Sequence, residues 1–235
     1  MGVLSQDLRY AFRSFARAPG FTLVALVTLA LGIGGTTAIF SIVDGVVLRP
    51  LPYSEPSRIL RITRTTVRGD EGSFSAGAYR DIARNATNFS AIAGYRDDIV
   101  DLTGRGEPYR VSAVQTTAAF FDVFDAPPIL GRTYHAATDK PGAAVAVMGE
   151  RLWRQQFGAS PSVIGAQVRL NGAPTEIIGV VPEYFRHPVK ADFWMLSPKD
   201  VPISPFAVDD GGEARGVHYF LAVGRIAREI GRAHV

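Results

Sequence analysis

Residues 21–43 read FTLVALVTLALGIGGTTAIFSIV, a run of 23 positions without a charged side chain. As an α-helix at ~1.5 Å per residue, the run would be about 34 Å long, and the hydrocarbon core of a bilayer is about 30 Å thick. It therefore predicts a transmembrane helix, which we assign to residues 21–48. Residues 1–20 form a short segment before it, and residues 49–228 read as a water-soluble domain after it.

A cleaved signal peptide is the alternative interpretation of this run. The basic lead-in and the small residues Gly34, Gly35 and Ala38 fit one loosely. However, the uncharged run is longer than the ~7–15-residue apolar region of such a peptide, so we expect a span that is retained. Ala30 and Gly34 are small residues four positions apart, a spacing that lets a second membrane helix approach closely.

The segment before the span has the pattern of an amphipathic helix lying in the membrane interface. Its apolar residues and its arginines fall on separate stripes: Leu4, Leu8, Phe12 and Phe15 on one, and Arg9, Arg13 and Arg17 on the other. Pro19-Gly20 is expected to separate this helix from the span. Arginines also follow the span, but long domains cross a membrane largely regardless of charge. We therefore place the N-terminus in the cytoplasm and residues 49–228 on the extracytoplasmic side.

Composition excludes several classes of protein. Hydrophobic residues make up 47% of the 235 positions and charged residues 20%, as in globular proteins. The net charge of +3 comes from arginines scattered along the chain, whereas a nucleic-acid-binding domain clusters its basic residues, so we expect no nucleic-acid partner. The chain has no cysteine, which excludes disulfides and zinc–thiolate sites.

Helix and strand signals mix irregularly after residue 57, which predicts an α+β domain. The predicted helices run from Ser75 to Arg84, Asn88 to Ala93, Thr117 to Phe124, and Glu150 to Phe157 with a stop at Gly158. The predicted strands cover residues 58–63, 95–103, 109–115, 144–148, 167–170, 175–181, 193–196 and 219–225. Asn171-Gly172 favours a two-residue hairpin turn with positive φ, and Gly104-Arg105-Gly106 marks a second hairpin.

No motif in the sequence carries catalytic chemistry. A G-x-x-x-x-G-K-[ST] phosphate loop and a G-x-S-x-G hydrolase turn are absent. The histidines lack metal-ligand spacing and are expected in loops or in solvent, and the acidic pairs are expected in solvated turns. These residues are His135, His187, His218 and His234, and the pairs Asp97-Asp98 and Asp209-Asp210. We predict no catalytic, cofactor-binding or metal-ligating residue and no cofactor.

Three stretches together resemble a known family. They are LRYAFRSFARAPGFTLVALVTLALGIGGTTAIFSIVDGVVLR at residues 8–49, AAFFDVFDAPPILGR at 118–132 and RLWRQQFGASPSVIGAQVRLNGAPTEIIGVVPEYF at 151–185. The chain is similar, from residue 4 to about 228, to the N-terminal part of MacB/FtsX-like ABC transporter permeases, in particular the large orphan permeases of soil bacteria such as acidobacteria.

The resemblance implies an architecture and a set of partners. In that family a first membrane helix precedes an extracytoplasmic core domain of one or two lobes, and three further membrane helices follow. The implied partners are an ABC ATPase subunit, a second permease copy, membrane lipid, and a periplasmic adaptor or outer-membrane protein. The implied location is the cell inner membrane, and the implied role is export or mechanotransmission without catalysis by this chain.

Two points stay open at this level. Residues 229–235, EIGRAHV, resemble read-through of a sequencing adapter, and we expect native sequence to end near Arg228. The alternative function is a membrane-anchored extracytoplasmic ligand-binding or sensor domain. A tethered enzyme is the third hypothesis, and the absence of a catalytic motif argues against it.

Overall fold

The computed structural model describes residues 10, 13, 15–43, 53–65, 69, 71–104, 107–188, 190–206 and 215–228. The chain divides into two compact units, Met1–Leu51 and Pro52–Val235. Most of the predicted amphipathic segment, including Leu4, Leu8, Arg9 and Phe12, lies outside the described residues, as does the tail at 229–235.

The first unit contains helix α1, Pro19–Val43. Its 23-residue segment Pro19–Ser41 is long and apolar enough to cross a membrane and is not buried within the chain, which separates it from a core helix, although a signal sequence meets the same criteria. The hydroxyls of Thr28, Thr36 and Ser41 each donate to the carbonyl four residues earlier, at 2.8 Å. These side chains therefore satisfy their polar groups within the helix, as an apolar surrounding requires.

The chain is interrupted between the preceding helical residues and the span, as predicted, but one residue earlier, at Ala18; Pro19 and Gly20 both belong to α1. A proline in the first helical turn lacks only an N–H that would have no partner inside the helix, so Pro19 begins α1 instead of ending the preceding segment.

The second unit combines eleven strands with three α-helices among its described residues. The helices are α2 (Ala76–Asn85), α3 (Phe120–Phe124) and α4 (Glu150–Phe157). The strands are β1 (Ile59–Ile62), β2 (Arg64–Thr65), β3 (Glu71–Gly72), β4 (Phe89–Thr103), β5 (Tyr109–Thr116), β6 (Leu130–Gly131), β7 (Val145–Gly149), β8 (Gln167–Leu170), β9 (Ala173–Val181), β10 (Phe193–Leu196) and β11 (Leu221–Ile226). The predicted α+β class is confirmed.

Six of these strands close into a barrel. Hydrogen-bonded neighbours follow the order β4-β5-β10-β7-β9, and β8 joins β9 back to β4. The closing contact pairs Leu102 with Leu170 and Thr103 with Arg169. Outside the barrel, β11 extends the sheet from β4, and β1 pairs with β11 at its edge.

Alternate residues of the barrel strands supply two different cores, because successive side chains of a strand point to opposite faces. The interior cluster draws on all six barrel strands, for example with Val100, Met148 and Ile177, and Leu152 of α4 joins it. The exterior cluster is aromatic and packs α3 against the sheet, with Phe120, Phe124, Phe185 and Trp194 among its members. A smaller third cluster joins α2 to Phe220 of the strand edge.

Local turn signals were reliable. Asn171 and Gly172 have φ of 50° and 79°, and Gly158 ends α4 with φ of 59°, as predicted. The helix expected at Asn88–Ala93 is wrong, because those residues begin the long strand β4, which pairs with β11. Edge-to-edge pairing with a strand more than 120 positions later overrides the local helical pattern.

Candidate functional site

Two segments of the second unit that are far apart in sequence meet at one point, which we call the chain-end junction and define as residues 54–58 and 225–228. It forms because β1 and β11 are antiparallel, with Ile59 opposite Arg225. The backbone of residues 54–58 and that of residues 225–228 are therefore neighbours.

Two arginines link residues 54–58 to residues 225–228 through hydrogen bonds. Arg58 donates to the Ile226 carbonyl through Nε at 2.9 Å and through Nη2 at 2.5 Å. Arg225 reaches in the opposite direction and donates through Nη2 to the Ser54 carbonyl at 2.8 Å. Its Nε donates to the Val123 carbonyl of α3 at 2.7 Å. The junction is thus a reciprocal clamp that also holds α3.

Charge and burial distinguish the members of the clamp. Arg225 is only 6% exposed, and burial lowers the pKa of its guanidinium from the usual value. Glu55 is exposed and accepts a 2.5 Å bond from Arg58, which lowers the pKa of its carboxyl. Glu55 also adopts a left-handed backbone with φ of 48°, a conformation that is rare for residues other than glycine.

An open pocket of about 380 Å³ lies at the junction. Its walls carry charges of both signs from Glu55, Asp122 and Asp125 and from three arginines, Arg58, Arg225 and Arg228. Arg228 lies 3.5 Å from the Glu55 carboxylate. The pocket is a network of ion pairs, and it lacks the single-sign field that steers a charged substrate.

Sequence reasoning did not identify this junction. Arg58 and Arg225 were assigned to strands, and no role was predicted for either. A signal was present, however: Arg225 is the only charged residue in the strand LAVGRI, and a charged side chain inside an apolar strand indicates a buried polar partner.

His187 lies in the loop between β9 and β10, as predicted for the histidines, and is half-buried there. Its ring packs against Phe124, Tyr95 and Phe120, with centroid distances of 4.5, 5.3 and 6.2 Å. Its Nε2 is buried and has no hydrogen-bond partner among the described residues. Burial, together with the positive charge of Arg61, lowers the pKa of His187 to about 4.

His135 takes part in a hydrogen-bonded chain of the kind found in hydrolase triads. Its Nδ1 lies 2.6 Å from Asp122 Oδ1, and its Nε2 lies 3.0 Å from Thr133 Oγ1. A triad must expose its nucleophile to substrate, yet Thr133 is 3% exposed. Asp122 also accepts the Ala136 N–H at 2.9 Å, so the arrangement fixes the loop after β6 to α3.

The acidic pair at Asp97-Asp98 is not in a turn, so that prediction is also wrong. Both residues lie in β4 opposite Val114 and Ala113 of β5. Asp98 is held by Arg96 at 2.8 Å and Gln115 at 3.2 Å, while burial raises the pKa of Asp97. Asp209-Asp210 and His234 lie outside the described residues. Within the described part of the chain, no three His, Asp or Glu side chains are grouped as metal ligands.

The sequence matches a known family model, and the fold is similar to solved domains of other proteins. The family model for the MacB-like periplasmic core domain matches residues 22–207. A crystal structure of a domain of a protein described as a permease, from Porphyromonas gingivalis, aligns with a TM-score of 0.56 and 17% identity, covering 75% of this chain and 78% of that one. The periplasmic region of MacB from Actinobacillus actinomycetemcomitans aligns with a TM-score of 0.54 and 13% identity, covering 74% and 76%. At these identities the two structures show a shared fold. A search of curated proteins found no match.

Proposed function

This chain belongs to the MacB-like periplasmic core domain family, and from that membership we propose that it is the N-terminal part of a permease subunit of an ABC transporter. One observation carries the proposal: the matched region starts inside α1 and continues through the barrel. The apolar helix and the domain thus recur as one unit. Family and helix together indicate a membrane-anchored protein with an extracytoplasmic domain.

The mechanism we propose is mechanical. ATP binding and hydrolysis belong to a partner ATPase, and this chain needs no catalytic residue or cofactor for its part. The arginine-rich segment at residues 1–20 faces the cytoplasm and meets the ATPase, the span covers residues 21–48, and residues 49–228 form the extracytoplasmic domain. Further membrane helices follow residue 228 in the full permease, and residues 229–235 are not native.

The chain-end junction gives this proposal a physical basis. A membrane helix that enters the domain and another that leaves it would both pull on the junction. Because Arg58 and Arg225 bind each chain end to the other, a displacement of either helix moves the domain as one body. The domain then acts on a second copy of the permease and on a periplasmic adaptor or outer-membrane partner, for export or for mechanical signalling.

Co-purification tests the partnership. The complete permease, tagged at its C-terminus, is expressed with the ATPase encoded beside it and extracted in a mild detergent. We expect the ATPase to be retained, and to be lost when Arg9, Arg13 and Arg17 are replaced together by serine. Failure of the unaltered permease to retain any ATPase would refute the transporter assignment.

Orientation is tested by thiol labelling, since the native chain has no cysteine. We expect Ala83→Cys, on the exposed face of α2, to react with a membrane-impermeant maleimide in cells whose outer membrane has been opened. Ser5→Cys should react only after the inner membrane is disrupted. The reverse pattern would place the domain in the cytoplasm and contradict the proposed topology.

A further inference from the structure

One mouth of the β-barrel contains a pocket of about 330 Å³ that the proposed mechanical role does not use. All six barrel strands contribute to its wall. The contributing strand residues are Val100, Gln115, Val145, Leu170, Thr175 and Met195. Because every strand of the closed barrel lines it, the pocket is a feature of the barrel and is not a gap between loose surface loops.

The pocket has a closed floor. Strand β7 begins at this mouth, at Val145, and runs through the barrel wall toward α4. Leu152 of α4 joins the interior cluster at the far end, and that cluster is buried. The loop at residues 142–144 and the β8–β9 turn form the rim. The buried interior cluster therefore fills the barrel beneath the pocket.

The chemistry of the wall selects the ligand. None of the described residues that line the pocket is ionisable. The polar side chains of the lining already make hydrogen bonds within the chain: the Gln115 amide donates to Asp98 and accepts from the Ile203 N–H at 3.0 Å, and Thr175 Oγ1 donates to the Ala173 carbonyl. Asn171 Oδ1 accepts from the Asp101 N–H at 2.8 Å. A charged ligand would lose its hydration here without compensation, whereas an apolar ligand displaces water from an apolar wall.

We propose that this barrel mouth binds a small, uncharged, mainly apolar molecule of about the size of a fused two-ring aromatic. The volume supports that size, because a dry apolar cavity of roughly 150 Å³ accepts benzene and this pocket is about twice as large. It lies at the lower end of the ~300–1,000 Å³ range of small-molecule sites. The site does not depend on an ATPase partner, so its test is separate from that of the transporter assignment.

Cysteine protection tests the site on the full chain in lipid nanodiscs. Ala144 is exposed at the rim, so Ala144→Cys supplies a single reactive thiol. We expect 1-naphthol to slow its modification by N-ethylmaleimide in a saturable manner, about fivefold at a ligand concentration about four times the dissociation constant. The matched anion 1-naphthalenesulfonate should leave the rate unchanged.

Two variants establish that the effect belongs to the pocket. Ala83→Cys, exposed on α2 and outside the pocket, should be modified at the same rate with and without naphthol. Adding Ala173→Trp to Ala144→Cys fills the mouth and should abolish protection by naphthol. The proposal is overturned if naphthol never slows modification of Ala144→Cys, if the sulfonate protects equally, or if Ala83→Cys is protected to the same degree.

Discussion

Replacing His187 by phenylalanine should reduce the stability that the domain loses between pH 7 and pH 5. The histidine ring lies among aromatic rings, 4.5 Å from the centroid of Phe124, and its buried Nε2 has no partner within the described chain. Phenylalanine has a similar shape and no atom to protonate. The substitution therefore keeps the packing and removes one titration.

The magnitude follows from the pKa of His187, which is about 4 in the folded chain against a usual 6.5. Between these values the unfolded chain binds a proton that the folded chain does not, so stability falls as pH falls through this window. This difference in proton binding lowers the free energy of unfolding by about 2 kcal/mol at pH 5 and by about 0.2 kcal/mol at pH 7. At a denaturant dependence of about 2 kcal/mol per molar, the urea midpoint should fall by about 1 M between pH 7 and pH 5.

Urea unfolding of the full chain in a nonionic detergent measures this change through tryptophan fluorescence. Trp194 reports directly, since its Nε1 donates to the His187 carbonyl at 2.9 Å. Between pH 7 and pH 5, we expect the free energy of unfolding of His187→Phe to fall by about 2 kcal/mol less than that of the unaltered chain. His218→Phe, at a half-buried position away from the cluster, should retain the full loss. If His187→Phe and the unaltered chain lose equal stability between pH 7 and pH 5, the low pKa assigned to His187 is refuted.

Three further substitutions test the packing by the same unfolding assay. Arg225→Met leaves the Ser54 carbonyl of the junction and the Val123 carbonyl of α3 without their donor, and it should lower the free energy of unfolding by about 2–4 kcal/mol. The exposed Arg228→Met should lower it by less than about 0.5 kcal/mol, and equal costs would contradict the clamp. Gly179→Ala puts a Cβ 2.0 Å from a backbone oxygen and should lower the free energy of unfolding by about 3 kcal/mol. Gly216→Ala, whose Cβ would have nothing within 4 Å, should leave stability unchanged. An unchanged urea midpoint for Gly179→Ala would disprove the close approach. Asn171→Ala forces alanine to φ of 50° and should be about 1 kcal/mol less stable than Asn171→Gly, and the reverse order would show that this turn has another conformation.

Patterns within a few neighbouring residues predicted much of the fold. The uncharged run became α1, and Asn171-Gly172 formed its two-residue turn, because both signals depend on local backbone physics. The predicted family was confirmed as well, since several such stretches recur together over most of the chain. What these features share is that no distant residue is needed to produce them.

The candidate sites could not be predicted from the sequence, because they depend on residues that are far apart in the chain. Barrel closure needs Leu102 and Leu170 to pair across 68 positions, and the junction needs Arg58 to meet Ile226 across 168. The low pKa of His187 depends on rings contributed by β4 and α3. A sequence pattern gives the identity of these side chains and does not give their neighbours.

The neighbouring positions of residues 54–58 and 225–228 also suit the domain to insertion into another protein and to circular permutation. A protein whose first and last segments lie side by side can be inserted into a host loop, or have its ends rejoined and its chain opened elsewhere, with little rearrangement. Ile59 lies opposite Arg225 in the β1–β11 ladder, so a short peptide can link residue 54 to residue 228. A circular permutant opened at the exposed Asn171-Gly172 turn would then carry the barrel without α1.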